Sequence, residues 1–300
     1  MTRKSRVAKL SIMSNSVLIV LKLGVGIMSG SVSIISEAIH SSVDLVAAVV
    51  AYIAVKFADK PPDKSHPYGH EKIENVSAVF ETILIFFASA FIIKEAVHKL
   101  IAHSAVTSVR LGFVVMGVSA VVNYFVSKKL YAVAKEEGSA ALEADALHLK
   151  VDVYTSLGVA LGLLAIWITG LKFLDPLIAI IVALFILKEA FEMLSSSFGP
   201  LVDMPIDDAD ISKINNILAG YTDVLIDFHE LRTRKAGNVK HIDLHILTPQ
   251  KMTVREFHDI CDKIEKDIEA AINNTKVIIH GEPCQKECDS CSFDGKDRFC

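Results

Sequence analysis

Three catalytic signatures are missing from this chain of 300 residues: a Gly-rich P-loop to cradle a nucleotide, an HExxH metalloprotease helix and a GxSxG nucleophile elbow. ATP-driven pumping, intramembrane metalloproteolysis and serine hydrolysis lose their machinery, and no enzyme is expected. Cysteine is scarce as well. The five present all lie beyond residue 260, four of them in the last seventeen positions, so no disulfide framework staples a secreted fold, and a reducing cytosolic side suits the C-terminus. Charge of one sign is lacking too, with a net value of only -4 and no Lys/Arg stripe interleaved with aromatics, which excludes nucleic acid as a partner. No repeat of solenoid length and no low-complexity tract occurs.

What the chain has is apolar sequence. Hydrophobic residues make up 52% of it, mean hydropathy is +0.43, and they arrive in long runs, the pattern of an integral membrane protein. The runs at 8–28, 32–57, 73–96, 109–126, 144–168 and 174–193 are each long enough to span roughly 30 Å of hydrocarbon, predicting six transmembrane helices. The basic start MTRKSRVAK resembles a signal peptide, but no small-residue cleavage site follows, so it reads as a retained first helix. An even number of spans puts both termini on one side. Arg3, Lys4, Arg6, Lys9, Lys60, Lys64, Lys72, Lys128, Lys129 and Lys135 crowd that side, against Lys99, Arg110 and Lys172 on the other, which makes it cytoplasmic. The expected setting is multi-pass, in a bacterial or archaeal inner or plasma membrane.

After Ser197 the sequence becomes mixed and charged, with Phe198 to Asp203 as linker. Periodicity then predicts helix, strand, strand, helix, strand, a small α+β domain with helices on one face of an antiparallel or mixed sheet. The expected divisions are a transmembrane domain over 1–197, a cytoplasmic metal-binding domain over 198–283 and a Cys-rich tail over 284–300.

Two spacings inside the apolar runs repeat one chemistry, His40-x-x-x-Asp44 and His148-x-x-x-Asp152. At four-residue separation each pair shares a helix face. Two such faces meeting in a bundle offer two imidazoles and two carboxylates to one point, a tetrahedral site for a divalent metal such as zinc. Structural pairing is the plainer alternative, but short Asp side chains cannot snorkel as Lys and Arg do, and burying ionisable groups in hydrocarbon twice at the same spacing favours function. Other polar residues interrupt the runs without an assigned role, among them Asn15, Lys22, Glu37, Glu81, Lys94, Asn123 and Glu189. Ser41, beside His40, offers a hydroxyl either to pack or to orient a ligand.

The loop after the second run carries Asp63, His66 and His70, with Pro67 and Gly69 shaping a tight turn around this three-ligand set. In the C-terminal part His229, His241, His245, His258 and His280 fall within about fifty residues. His241, Asp243 and His245 alternate and so share a strand face; spacing leaves open which of these histidines converge, and whether His241 is exposed. Cys284, Cys288, Cys291 and Cys300 match no standard zinc pattern closely, leaving a soft-metal scavenger and an inert reduced tail as readings.

With these residues in place, the chain to about residue 283 resembles a cation diffusion facilitator. The resemblance is carried by SEAIHSSVD, PDKSHPYGHEKIE, ALEADALHLKVD, FHELRTR, IDLHI and IIHGEP. It implies six transmembrane helices plus a cytoplasmic metallochaperone-like, ferredoxin-like domain, a homodimer, and proton-coupled export of a divalent metal. It implies His40, Asp44, His148 and Asp152 as the transport site and Asp63, His66 and His70 as a loop site. The cytoplasmic site would draw on His229, His245, His258, His280 and Glu282, with Lys72 and Asp203 as a charge interlock between the third helix and the linker. Glu282 stands where Asp is frequent, the His-rich loop of many eukaryotic members is missing, and the cysteine tail lies outside the family pattern.

Zn2+ exchanged for protons is the expected cargo, because an imidazole nitrogen takes a proton or a metal but not both; a regulatory Zn2+ is expected in the cytoplasmic domain. Two imidazoles argue against manganese, while Fe2+, Co2+, Ni2+ and Cd2+ stay open. A membrane metal sensor that binds without translocating is the alternative from another class.

Overall fold

The computed structural model describes residues 2–29, 32–102, 110–171 and 173–284. They form two compact units, Met1–Phe198 and Gly199–Cys300.

The first unit is six long helices: α1 (Arg3–Ser29), α2 (Val32–Ala58), α3 (Lys72–Ala102), α4 (Arg110–Glu137), α5 (Ala140–Thr169) and α6 (Leu174–Phe198). Several outrun the apolar stretches that predict them, α4 reaching Glu137 and α5 starting at Ala140, because backbone hydrogen bonding continues through polar residues where hydropathy stops. The reversal between them is short. Gly138 takes a left-handed φ of +63°, Ser139 N donates back to Ala134 O at 2.9 Å, and Ser139 Oγ accepts from Leu142 N at 3.4 Å. One residue thus follows the end of α4 and caps the start of α5, satisfying orphan groups of both helices.

Helix α5 is the hub. One core joins its Ala141, Leu142, Ala146 and Leu149 to Val7, Ala8, Ala54, Val55 and Leu130 of α1, α2 and α4. A second joins its Ala144, Leu147 and Val151 to Ala78, Ile85, Ile186 and Ala190 of α3 and α6. The first half of α5, packed between these two cores, keeps polar residues inside the bundle too, and Asp145 and His148 are buried accordingly. Outward, Val20, Ile27, Phe87, Phe91, Phe125, Ile181 and Phe191 are exposed, an apolar surface of the kind that faces lipid or a partner. Of the six spans expected, two helical stretches among the described residues, Arg3–Met28 and Lys72–His98, are long and apolar enough by length and composition to cross a membrane.

The second unit opens with a short 3-10 turn (Gly199–Val202), then α7 (Asp208–Ala219), β1 (Asp227–Ala236), β2 (Val239–Thr248), α8 (Val254–Ala271) and β3 (Thr275–Pro283). The expected order is present and the sheet is mixed: β2 is central, antiparallel to β1 and parallel to β3. Period-2 alternation puts Ile242, Leu244 and Ile246 on one face of β2; they pack with Ile214 and Leu218 of α7 and Ile264 and Ile268 of α8. The opposite face carries the histidines. Thr253 and Glu256 start α8 with a reciprocal capping box, and the Thr253 backbone N–H and hydroxyl hold the Glu256 carboxyl below the usual range.

Candidate metal centres

In the helical unit, α2 and α5 bring Asp44, His148 and Asp152 together so that one ligand atom of each lies within 4.8 Å of the others. His148 Nε2 is 3.0 Å from Asp44 Oδ1, and both residues are buried. His148 Nδ1 is also buried, with no hydrogen-bond partner among the described residues. His40 lies on α2 one turn before Asp44, on the same helix face; its side chain lies outside the described residues. Two carboxylates and an imidazole form a mixed O/N donor set, which suits a borderline divalent cation such as zinc.

Around these residues stand groups that spacing did not assign. Asn123 Nδ2 of α4 donates to Asp152 Oδ2 at 3.1 Å. Ser11 of α1 donates to Asp145 Oδ1 at 3.1 Å, and Asp145 precedes His148 by three positions, sharing its face of α5. That offset was a readable signal for Asp145; Asn123 showed only as a polar break in an apolar run. Ser41 accepts from Lys22 Nζ at 2.7 Å, so its hydroxyl is engaged by α1.

The loop group is Asp63, His66 and His70, again with ligand atoms within 4.8 Å. Its organiser is Asp63, whose Oδ1 accepts from the backbone N–H of Ser65 and of His66, each at 2.8 Å, an Asx-type turn that folds the loop back. His66 Nδ1 lies 3.5 Å from Asp63 Oδ1 and His70 Nε2 3.3 Å from Oδ2, with the two rings 4.4 Å apart. The His66 backbone N–H, followed by that of Ser65 and the neighbouring imidazoles, holds the Asp63 carboxyl below its ordinary value. His70 is buried and its Nδ1 has no hydrogen-bond partner among the described residues, while Asp63 and His66 are exposed.

The group in the second unit is set by strand register. His245 of β2 pairs with His229 on β1 and with His280 on β3, so three imidazoles line one row across the sheet, with ring centroids 5.4 and 4.8 Å apart. Glu282, two residues beyond His280 and on the same face, reaches back with Oε1 to His245 Nδ1 at 3.0 Å and Oε2 to His229 Nε2 at 3.4 Å. The hydrogen bond from His245, with the charges of His229 and His280, draws the Glu282 carboxyl below its usual range. His229, His245 and Glu282 meet within 4.8 Å. His280 Nε2 sits 3.9 Å from Glu282 Oε1 at the margin. His258 is not brought in: it lies on α8, exposed, 3.8 Å from Asp262.

A bulge in β1 between His229 and Arg232 puts Glu230 at φ +48° and aims its carboxylate at His245 Nε2, 3.8 Å away. Bulges re-aim side chains in this way, and no sequence signal marked Glu230. Gly281, between His280 and Glu282, is required by close approach, since a Cβ there would stand 2.4 Å from the Phe257 ring. His241 is buried, and Asp203 pairs with Arg234 at 3.6 Å. Cys284 is buried and forms no disulfide among the described residues; Cys288, Cys291 and Cys300 lie outside them.

Residues 8–202 match the family model of the cation efflux transmembrane domain, and residues 206–284 that of the cation efflux protein cytoplasmic domain. An uncharacterized transporter of Synechocystis sp. is 36% identical over 279 residues, covering 93% of this chain and 89% of the relative. A cation-efflux pump FieF of Shewanella oneidensis is 29% identical over 280 residues, covering 93% and 94% respectively. Among solved structures, the metal-bound C-terminal domain of the CzcD transporter from Thermotoga maritima is 26% identical over 26% of this chain and 92% of that one, with a TM-score of 0.25.

Proposed function

The chain belongs to the cation efflux family of membrane metal-ion transporters, and from that premise we propose that it is a secondary transporter exporting Zn2+ from the cytoplasm in exchange for protons. The observation that carries the reading is the convergence of Asp44, His148 and Asp152 inside the helical unit. The two carboxylates offset the charge of a dication, and imidazole and carboxylate oxygen are both ordinary zinc donors. His40, one turn before Asp44 on α2, supplies the fourth ligand.

Coupling follows from competition. An imidazole with an ordinary pKa of about 6.5 holds a proton or a metal at one nitrogen but not both. Protons arriving from the far side displace the metal there, and metal arriving from the cytoplasm displaces protons. Six spans, both termini cytoplasmic and a homodimer complete the proposal, with the orientation resting on the Lys and Arg residues around the first helix and after the second and fourth. The row of His229, His245 and His280 with Glu282 serves as a cytoplasmic zinc site that reports metal load, and Asp63, His66 and His70 as a loop site.

Purified protein in liposomes, with a pH gradient imposed and Zn2+, Cd2+, Fe2+, Co2+, Ni2+ and Mn2+ offered in turn, tests this directly. Zinc flux that follows the proton gradient and is lost in Asp44→Ala is expected. Flux indifferent to the gradient removes the exchange, and metal binding without flux turns the reading toward a sensor.

A further inference from the structure

We infer that Asn123 is a specificity-determining residue of the intramembrane site: by holding Oδ2 of Asp152, it makes that carboxylate bind the cation through one oxygen and biases the site toward zinc. The inference rests on Asp44, His148 and Asp152 being the transport site.

Asn123 is buried on α4, at 5% exposure, within an apolar run. Its Nδ2 donates to Asp152 Oδ2 at 3.1 Å, while its Oδ1 is buried without a hydrogen-bond partner among the described residues. A carboxylate only accepts, so the amide must turn its nitrogen toward Asp152 whatever becomes of its oxygen. A buried amide with one half unsatisfied is costly, and an apolar residue would serve helix packing better. The bond to Asp152 is what the position gains.

The consequence lies in the cation's geometry. Zinc takes four ligands in a tetrahedron, typically one oxygen from a carboxylate. Larger, oxygen-preferring cations take more ligands at longer distances and readily use both carboxylate oxygens. An N–H on Oδ2 occupies that oxygen and fixes the plane of the carboxylate, as outer partners of metal ligands do. Two-oxygen binding then requires breaking the amide bond, a penalty that falls on the larger cations and spares zinc.

The test uses the full chain carrying His66→Ala and His245→Ala to weaken the other two groups, with Zn2+, Cd2+ and Mn2+ affinities measured by chelator competition. Asn123→Leu keeps the volume without the donor, and Asn123→Ala serves if the leucine does not pack. Zinc affinity is expected to fall about 10- to 100-fold, with that of Cd2+ and Mn2+ falling less or rising, so that the zinc-to-manganese ratio drops roughly tenfold. A merely structural role for Asn123 would weaken all three metals in proportion, and an unchanged ratio overturns the inference. Asp152→Ala separates this from the parent reading: if it abolishes the site while the Asn123 variants leave the ratio alone, only the inference fails. Full metal binding in Asp152→Ala removes the transport site itself.

Discussion

His148 Nε2 lies 3.0 Å from Asp44 Oδ1, linking α5 to α2 across 104 residues of sequence. The bond joins two donors that a cation would need to separate. In the proposed transport site a cation would replace this one protein contact with two metal–ligand bonds.

Asp152→Ala is expected to lower zinc flux about 100-fold or more, since even partners of metal ligands are worth 10- to 100-fold. Asp152 is part-buried and accepts a hydrogen bond from Asn123, a contact whose loss should shift unfolding by only about 1 kcal/mol. Flux into liposomes and a thermal melt of the same preparation check both halves. Undiminished flux would take Asp152 out of the site.

His40→Asp should broaden metal acceptance more than it reduces transport. Carboxylate in place of imidazole hardens the site and alters its charge and proton uptake, which favours manganese and cadmium relative to zinc. Competition between metals during uptake reads the ranking; an unchanged ranking with full flux contradicts the assignment of His40.

Asp210 gives the cytoplasmic unit a defined acid sensitivity. Hydrogen bonds from Lys213 at 2.8 Å and Lys240 at 2.5 Å hold its carboxyl below the ordinary value. The unfolded chain thus takes up the proton first, at about pH 4, and Asp210 contributes stability above that value that is lost as pH falls through its lowered folded pKa. Asp210→Asn should remove on the order of 1 kcal/mol at pH 7 and nearly nothing at pH 2. Urea midpoints of both proteins at several pH values provide the comparison, and an equal deficit at both extremes would discount the ion pairs.

Gly281→Ala should disturb fold and site together. The added Cβ would sit 2.4 Å from the Phe257 ring, so the ring or the strand beside it must give way at roughly 1–3 kcal/mol, disturbing the flanking His280 and Glu282. Weaker zinc binding at the cytoplasmic group should accompany a lower unfolding midpoint. If zinc affinity is untouched, the row of ligands does not depend on this approach.

Zinc should draw the cytoplasmic domains of two copies together when it bridges their histidines, because a dication offsets facing carboxylates. Spin labels on the C-terminal domains of the full-length protein should approach as zinc is added to the wild type and stay apart in His245→Ala/His280→Ala. A distance that ignores zinc, or that responds identically in the double variant, leaves the domain a structural role only.

The sequence by itself determined what depends on local period. Apolar runs gave the helices, the four-residue spacing put His148 with Asp152 and His40 with Asp44 on shared helix faces, and alternation placed His241, Asp243 and His245 on one face of β2. The tight Asp63 to His70 loop was legible for the same reason, its ligands lying within eight residues. Tertiary structure alone decided which faces meet. Asp44 reaches His148 because the first half of α5 packs between two cores and its polar residues look into the bundle; Asn123 reaches Asp152 because α4 lies against α5. The row of His229, His245 and His280 exists because core packing of Ile242, Leu244 and Ile246 fixes strand register, and register selects partners far apart in the chain. Glu230 joins that group only through a bulge, and His258 stays out because it points from α8 rather than from the sheet, distinctions that no spacing in the sequence encodes.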